Sequence, residues 1–169
     1  MELVDILNQR KELVGYTKDR KQLENGEYRL SVHIWITNSK GEFLIQRRST
    51  TKSMFPNMWN ETGGAAMAGE TSSETCSREF EEELGVKPNM DNAELIGTIK
   101  RNKDFIDIWH IQQEIDLKDI NMQVEEVSEV KWATLDEIKS LILSKEFVPT
   151  IEPSLNLFIQ YLEIYKEKN

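Results

Sequence analysis

Apolar and polar residues alternate over residues 30–37, and this alternation predicts a β-strand. One face of the strand carries Leu30, Val32, Ile34 and Ile36, and the opposite face carries Ser31, His33 and Trp35. The turn sequence at 38–41 and the apolar residues after it predict a second strand over 42–48, and therefore a β-hairpin.

Further strand patterns are separated by turn-rich segments. Residues 2–7 predict a short N-terminal strand, which is followed by a charged, turn-rich arm to about Gly26. Residues 49–69 contain Pro56 and three glycines and predict a long ordered loop. Three later strands are predicted over residues 93–100, 105–115 and 127–132.

A helix is predicted between Thr71 and Gly85. Thr71 and Glu74 have the spacing of a capping box, and Gly85 favours a stop because glycine readily adopts the left-handed conformation. The apolar stripe of this helix consists of Cys76, Phe80 and Leu84, at a spacing of four residues.

Two more helices are predicted towards the C-terminus. The first is capped by Thr134 and extends through Leu143, and the second is an amphipathic helix over residues 154–166. Strands and helices in this mixed order predict an α/β fold with a sheet between helices.

Length and charge restrict the kinds of partner. A chain of 169 residues fits one domain that buries a substantial core. Its formal net charge of -9 repels phosphate polymers, so we expect no nucleic-acid partner. A small phosphate ligand is still compatible with this charge, because a metal ion reverses the local field.

The expected location is cytoplasmic. No apolar run is long enough to span a bilayer, and the N-terminus lacks the pattern of a signal peptide, so no membrane partner is expected. The single cysteine, Cys76, cannot form an internal disulfide and is expected in the core.

Three glutamates on the predicted helix are candidates for a metal site. Glu79, Glu82 and Glu83 are spaced i, i+3 and i+4, so their carboxylates share one helical face and repel one another. A hard cation such as Mg²⁺ would remove this repulsion, because it prefers carboxylate oxygens. Taken alone, an acidic run of this kind is more often solvated surface. If Phe80 points inward, however, the acids border the packed face, where a cleft can form.

The residues around the acids carry a family resemblance. The stretch GAAMAGETSSETCSREFEEELGV, from Gly64 to Val86, has Glu70, the pair Arg78-Glu79, the pair Glu82-Glu83 and Gly85 at fixed spacings. In this it resembles the Nudix box at every required position. Such a long motif is far more specific than the acidic run alone.

The resemblance implies a Nudix α/β/α sandwich with a mixed β-sheet between helices. It also implies a Mg²⁺ site, with Mn²⁺ as an alternative, whose ligands are Glu79, Glu82, Glu83 and the Gly64 carbonyl. Arg78 would then pair with a carboxylate, and Glu70 would brace the loop, as residues that orient metal ligands do.

The resemblance further implies hydrolysis of a diphosphate linkage in a small molecule. A carboxylate acts as general base in such a reaction, and Glu126 is the candidate. Glu125 and Glu114 are alternatives, and each of the three is equally compatible with an ordinary surface glutamate.

Beyond the box, the sequence resembles the branch of the family that contains isopentenyl-diphosphate isomerases. In that branch basic residues at the positions of Arg47, Arg48 and Lys52 approach the substrate diphosphate, although a basic loop end that offsets nearby acids is equally compatible. Gly63 stands where those isomerases carry a catalytic cysteine. Their additional metal-binding histidines correspond to Glu24 and Ser31, so isomerase activity is not expected.

We therefore expect a single Nudix domain over residues 1–169, with a core at about 28–160, an N-terminal strand and arm at 1–27, and the box at 64–86. The expected substrate is a nucleoside diphosphate derivative or an isoprenoid diphosphate. The alternatives are isopentenyl-diphosphate isomerase-like activity and a non-enzymatic ligand-binding module on the same fold. A monomer and a homodimer are both compatible with the sequence.

Overall fold

The computed structural model describes residues 1–168, in which nine strands and three α-helices are formed. The strands are β1 (Leu3–Leu7), β2 (Leu13–Asp19), β3 (Arg29–Thr37), β4 (Phe43–Arg48), β5 (Trp59–Asn60), β6 (Thr62–Ala65), β7 (Ala93–Lys100), β8 (Asp104–Gln112) and β9 (Val127–Ala133). The helices are α1 (Ser72–Leu84), α2 (Leu135–Leu143) and α3 (Glu152–Lys168).

Strand β3 lies at the centre of a mixed sheet. It pairs in parallel with β8 along its whole length, and β7 pairs antiparallel with the other edge of β8. On its second edge β3 pairs with β6, and it meets β4 only at Thr37 and Phe43. The predicted hairpin is therefore wrong beyond its turn, because β6 takes the place beside β3 while β4 pairs with β9 and β5.

Two segments without predicted structure contain strands. The N-terminal arm contains β2, which pairs antiparallel with β1. The predicted loop at 49–69 contains β5 and β6. Strand β6 was not predicted because it contains two glycines instead of alternating apolar residues. A Cβ atom on Gly63 would lie 2.3 Å from the Val32 carbonyl oxygen, so this close strand contact requires glycine.

Helix α1 and its ends agree with the prediction. The Thr71 hydroxyl accepts a hydrogen bond from the Glu74 amide, and the Glu74 carboxylate accepts one from the Thr71 amide. Gly85 ends the helix in the left-handed conformation, with φ 66°. Capping of this kind stabilises a helix by about 1 kcal/mol, so the start of α1 is fixed locally.

Two apolar clusters lie on opposite faces of the sheet. On one face the stripe of α1 packs against β3, and the buried residues include Val32, Ile34, Ile36, Cys76, Phe80 and Leu84. On the other face α2 and α3 pack against the sheet, and the buried residues include Trp35, Ile108, Ile138, Leu155 and Phe158. The α/β sandwich with a mixed sheet between helices is thus confirmed.

The β1–β2 hairpin is fastened to the α1 side of the sheet. The Leu3 carbonyl accepts a hydrogen bond from the Ala68 amide, and the Asp5 carboxylate accepts one from the Gly69 amide at 2.7 Å. These contacts brace the loop that leads into α1. Within residues 1–168, none of the helices combines the length and apolar character needed to cross a membrane.

Candidate metal and diphosphate site

The three glutamates of α1 differ in burial, as their positions around the helix predict. The Glu79 side chain is 13% exposed and Glu83 is 6% exposed, whereas the Glu82 side chain is 48% exposed. Glu79 and Glu83 therefore lie at the border between α1 and the sheet, and Glu82 lies on the solvent side. A group in this position is partly removed from water while still open to a ligand.

Gly64 is in close contact with the Glu79 carboxylate. A Cβ atom at residue 64 would lie 2.2 Å from Glu79 Oε1 and 2.3 Å from its carboxyl carbon. Any side chain at this position would therefore displace Glu79. The structure thus brings together two of the predicted metal ligands, which are 15 positions apart in the sequence.

Glu83 is held by a residue that the sequence analysis did not identify. Gln46 Nε2 on β4 donates a hydrogen bond to Glu83 Oε2 at 2.6 Å, and the Gly63 amide donates a longer one at 3.4 Å. The Thr62 hydroxyl donates to Gln46 Oε1 at 3.1 Å. One feature of the sequence could have identified Gln46: it is a polar residue two positions after Leu44, and therefore on the same buried face of the strand.

Arg78 connects the acids of α1 to the preceding loop. Its guanidinium donates to both carboxylate oxygens of Glu70, at 2.6 and 3.0 Å, and to the Ala65 carbonyl at 2.9 Å. It also donates to Glu79 at 3.0 Å and to Glu82 at 3.1 Å. Glu70 accepts a hydrogen bond from the Met67 amide in the loop. Arg78 thus pairs with carboxylates, and Glu70 contacts the loop.

Burial makes the ionised forms of Glu79 and Glu83 unfavourable. Burial raises the pKa of Glu83 to about 8, with a further contribution from the charge of Glu79. Burial likewise raises the pKa of Glu79 to about 7, although Arg78 acts in the opposite direction. The charge of Glu126 contributes to both increases, which indicates that Glu126 lies near this group.

The donor set fits a hard divalent cation. One guanidinium, that of Arg78, serves Glu70, Glu79 and Glu82, and among residues 1–168 no cationic side chain forms an ion pair with Glu83. Carboxylate oxygens that lack a counter-charge are the ligands Mg²⁺ prefers. Among the described residues no three His, Cys, Asp or Glu side chains are arranged as a metal-binding cluster; Glu82 accepts a hydrogen bond from Arg78 and Glu83 accepts one from Gln46.

Glu126 and Lys52, two of the predicted site residues, form an ion pair. The Ser49 amide also donates to the Glu126 carbonyl at 2.9 Å, so the loop after β4 is joined to the segment before β9. The candidate general base, Glu126, is therefore in contact with Lys52, a candidate residue for binding the diphosphate.

The two predicted arginines do not join this pair. Arg47 donates to the Asn57 carbonyl at 3.0 Å and lies over the Trp59 ring, which belongs to the core on the α2 and α3 side. Arg48 donates to the Met54 carbonyl at 2.9 Å. Each arginine thus contacts the 54–59 segment, and their roles towards a diphosphate stay predictions.

An open cleft of about 500 Å³ lies away from these acids, at the ends of β7 and β8 beside α3. Its walls include Glu94, His110, Tyr161 and the alternative base Glu114, but none of the residues of the box. Glu114 accepts a hydrogen bond from the Ser39 amide at 2.5 Å, in the turn between β3 and β4. We assign the candidate site to the acids of α1, because that is where the buried Glu83 carboxylate lacks a cationic partner among the described residues.

Besides Glu27, which pairs with Lys18 at 2.8 Å, three other buried acids that the sequence analysis did not identify have partners within the chain. Glu61 lies 2.8 Å from His33 Nδ1, in an electrostatic contact that is poorly aligned for a hydrogen bond. The other two pairs are Arg101–Asp104 at 2.7 Å and Lys11–Asp107 at 2.5 Å. Burial opposes ionisation of Glu61 and Asp104, but the neighbouring His33 and Arg101 lower the pKa of Glu61 and of Asp104, respectively.

Comparison with known proteins agrees with the box and the fold. The family model of the NUDIX domain matches residues 27–157. An uncharacterized Nudix hydrolase of Listeria monocytogenes is 37% identical over 151 residues, which cover 88% of this chain and 89% of that protein. Nudix hydrolase 3 of Arabidopsis thaliana is 34% identical over 157 residues, which cover 84% of this chain and 20% of that protein.

Solved structures share the architecture. The crystal structure of DR0079 from Deinococcus radiodurans superposes with a TM-score of 0.72 at 26% identity, over 86% of this chain and 91% of that one. The NUDIX domain of Shewanella oneidensis NrtR, solved with ADP ribose, superposes with a TM-score of 0.57 at 19% identity, over 79% of this chain and 88% of that one. The chain belongs to the Nudix hydrolase family, and it is a pyrophosphohydrolase that acts on diphosphate-containing small molecules.

Proposed function

We propose that this chain uses Mg²⁺ to hydrolyse the diphosphate linkage of its substrate, with Mn²⁺ as an alternative cation. The observation that carries this proposal is the buried Glu83 carboxylate, for which the described residues provide no cationic partner. An unpaired buried charge is costly, and a divalent cation removes that cost while it recruits a polyanionic substrate.

The proposed ligands are Glu79, Glu82, Glu83 and the Gly64 carbonyl. Glu82 and Glu83 would provide carboxylate oxygens to the cation, and Arg78 and Glu70 would hold the helix and the loop in register. A cation bound here supplies positive charge that neutralises diphosphate oxygens and makes the attacking water more acidic. Gly64 contributes by leaving room for the Glu79 carboxylate.

Glu126 is the proposed general base. Water adds to one phosphorus as the bridging P–O bond breaks, and the Glu126 carboxylate takes the proton from that water. Lys52 now pairs with Glu126, and a diphosphate offers it more negative charge. Substrate binding would therefore draw Lys52 away and free the carboxylate. Arg47 and Arg48 are the further proposed contacts of the diphosphate.

The proposed substrate is a nucleoside diphosphate derivative or an isoprenoid diphosphate. ADP ribose, with which the Shewanella domain was solved, is the natural first compound of a substrate panel. Isomerase activity is disfavoured because Gly63 stands where the isomerases carry their catalytic cysteine. A Cβ atom at this position would lie 2.3 Å from the Val32 carbonyl oxygen. The single-domain organisation, the cytoplasmic location and the monomer or homodimer state stay predictions.

The test is product release from a panel of diphosphate compounds with Mg²⁺, for the wild type and for Glu83→Gln. We expect turnover by the wild type and a loss of about a hundredfold or more in the variant, since removing a ligand costs at least as much as removing its supporting partner. Glu81→Gln is the matched control, because Glu81 is exposed on the same helix. A fully active Glu83→Gln would refute the metal-site assignment, and a wild type that binds these compounds without turnover would favour a ligand-binding module.

A further inference from the structure

Three buried polar side chains form a chain of hydrogen bonds from the sheet to α1. The Thr62 hydroxyl donates to Gln46 Oε1 at 3.1 Å, and Gln46 Nε2 donates to Glu83 Oε2 at 2.6 Å. Thr62 is 1% exposed and Gln46 is 3% exposed. The three groups come from β6, β4 and α1, so the contact exists only in the assembled fold.

The order of donors fixes the orientation of the Gln46 amide. With its carbonyl oxygen turned to the Thr62 hydroxyl, the amide presents its N–H to Glu83. The reversed amide would place a carbonyl oxygen against the Glu83 carboxylate, where two acceptors repel each other. Thr62 therefore acts on Glu83 through Gln46.

The fold itself does not require an amide at position 46. The preceding residues of β4, Leu44 and Ile45, are apolar and fully buried, and an apolar side chain of the same length would fit the same strand pattern. A buried polar side chain is costly unless it is hydrogen-bonded, so its presence here calls for a specific partner. That partner is Glu83, whose other hydrogen bond, from the Gly63 amide, is long at 3.4 Å.

We propose that Gln46 is a positioning residue that holds the Glu83 carboxylate ready for the divalent cation, and that Thr62 sets the Gln46 amide. This inference rests on the proposed function, because it assumes that Glu83 binds the cation. Residues that orient a metal ligand in this way commonly change metal affinity by about 10- to 100-fold.

The test measures cation binding by the purified full chain without substrate. Isothermal titration with Mg²⁺, and separately with Mn²⁺, compares the wild type with Gln46→Met, which keeps the side-chain length and removes the amide. We expect the dissociation constant to rise by about 10- to 100-fold in this variant, and by a smaller factor in Thr62→Val. Gln112→Met, at an exposed position of β8, is the matched control and should bind as the wild type does.

A double variant separates positioning from general structural support. If Gln46 acts through Glu83, the Gln46→Met substitution should raise the cation dissociation constant when Glu83 is present. In a chain that already carries Glu83→Gln, it should cause no further rise. An equal loss in both backgrounds, or unchanged binding by Gln46→Met, would overturn the proposal. Should Gln46→Met fail to fold, Thr62→Val carries the same comparison.

Two results distinguish a failure of the proposed function from a failure of the role of Gln46. Absence of Mg²⁺ and Mn²⁺ binding by the wild type would overturn the proposed function and this inference together. Normal binding by the wild type, with equal binding by Gln46→Met and Thr62→Val, would overturn only the role of Gln46.

Discussion

Buried carboxylates occupy two regions of this protein and differ in their partners. The acids of the strand region, Glu61, Asp104 and Asp107, each lie beside a basic side chain, which is His33, Arg101 or Lys11 respectively. In α1, Glu79 shares Arg78 with two other acids, and Glu83 has the Gln46 amide and the Gly63 amide as hydrogen-bond donors. The pKa is lowered for Glu61 and Asp104 but raised to about 7 for Glu79 and about 8 for Glu83.

The difference separates acids that have a basic partner in the fold from the acids that are proposed to bind the cation. Burial is similar in the two regions, since Asp104 is 4% exposed and Glu83 is 6% exposed. Burial alone therefore does not identify a site. A buried acid with a partner contributes to the fold, whereas one without a counter-charge raises the free energy of the fold until a ligand arrives.

The largest expected effect concerns activity. Glu79→Gln should lower kcat/KM by about a hundredfold or more while the protein stays folded, because it removes a proposed cation ligand and relieves a crowded charge. Asp104→Asn should instead lower the thermal stability and leave kcat nearly unchanged, because it weakens the ion pair with Arg101. Steady-state kinetics and thermal unfolding of both variants test this, and equal behaviour would remove the distinction between the regions.

The next effect concerns stability in the strand region. Lys11→Met should lower the free energy of unfolding by about 1–3 kcal/mol, because it leaves the buried Asp107 carboxylate with no ion-pair partner. Lys118→Met is the control, since its pair with Asp116 is exposed and should contribute less than about 1 kcal/mol. Urea denaturation measures both variants. A similar result for the two would show that the buried pair has no special role.

A smaller effect concerns pH in the absence of metal. Because their pKa values are raised in the fold, Glu79 and Glu83 bind more protons folded than unfolded between about pH 5 and pH 8. Their contribution to stability is therefore present at low pH and is lost as the pH rises towards 8. With a chelator present, the melting temperature of Glu83→Gln should exceed that of the wild type by a few degrees at pH 8.5 and by less at pH 5. A difference that does not change with pH would contradict this prediction.

The smallest effect concerns Glu82, which is the exposed member of the α1 acids. Glu82→Gln should change the free energy of unfolding of the metal-free protein by less than about 0.5 kcal/mol, because its pair with Arg78 lies near solvent. A large change in urea denaturation would mean that all three acids of α1 contribute to stability in the same way.

Local patterns in the sequence predict helix α1 and the spacing of its acids. Thr71, Glu74 and Gly85 act within one helix, and the stripe of Cys76, Phe80 and Leu84 follows from helical periodicity alone. The partners of the acids could not be predicted in this way. Gln46 approaches Glu83 from another strand, 37 positions away, and no local pattern records such a distance.

The pairing of the strands also could not be predicted from local sequence patterns. Residues 38–41 indicate a turn, and a turn usually implies that its flanking strands pair. Here β6 pairs with β3 instead, through glycines that carry no strand signal. The acid Glu61 lies immediately before β6, so its contact with His33 depends on a strand that the sequence did not predict. Short-range structure was thus predictable, and long-range contacts such as Gln46–Glu83 and Lys11–Asp107 were not.

The parallel pairing of β3 with β8 constrains how the chain folds during synthesis. Ser31 and Asp104 are 73 positions apart, and Lys11 and Asp107 are 96 positions apart. Helix α1 leaves the ribosome before β8 does, so its acids emerge before the sheet that buries them is complete. Contacts of such long range slow folding because a large loop must close first. A nascent chain that stops before residue 104 therefore presents one edge of β3 without its parallel partner, and an unpaired strand edge can pair with another chain.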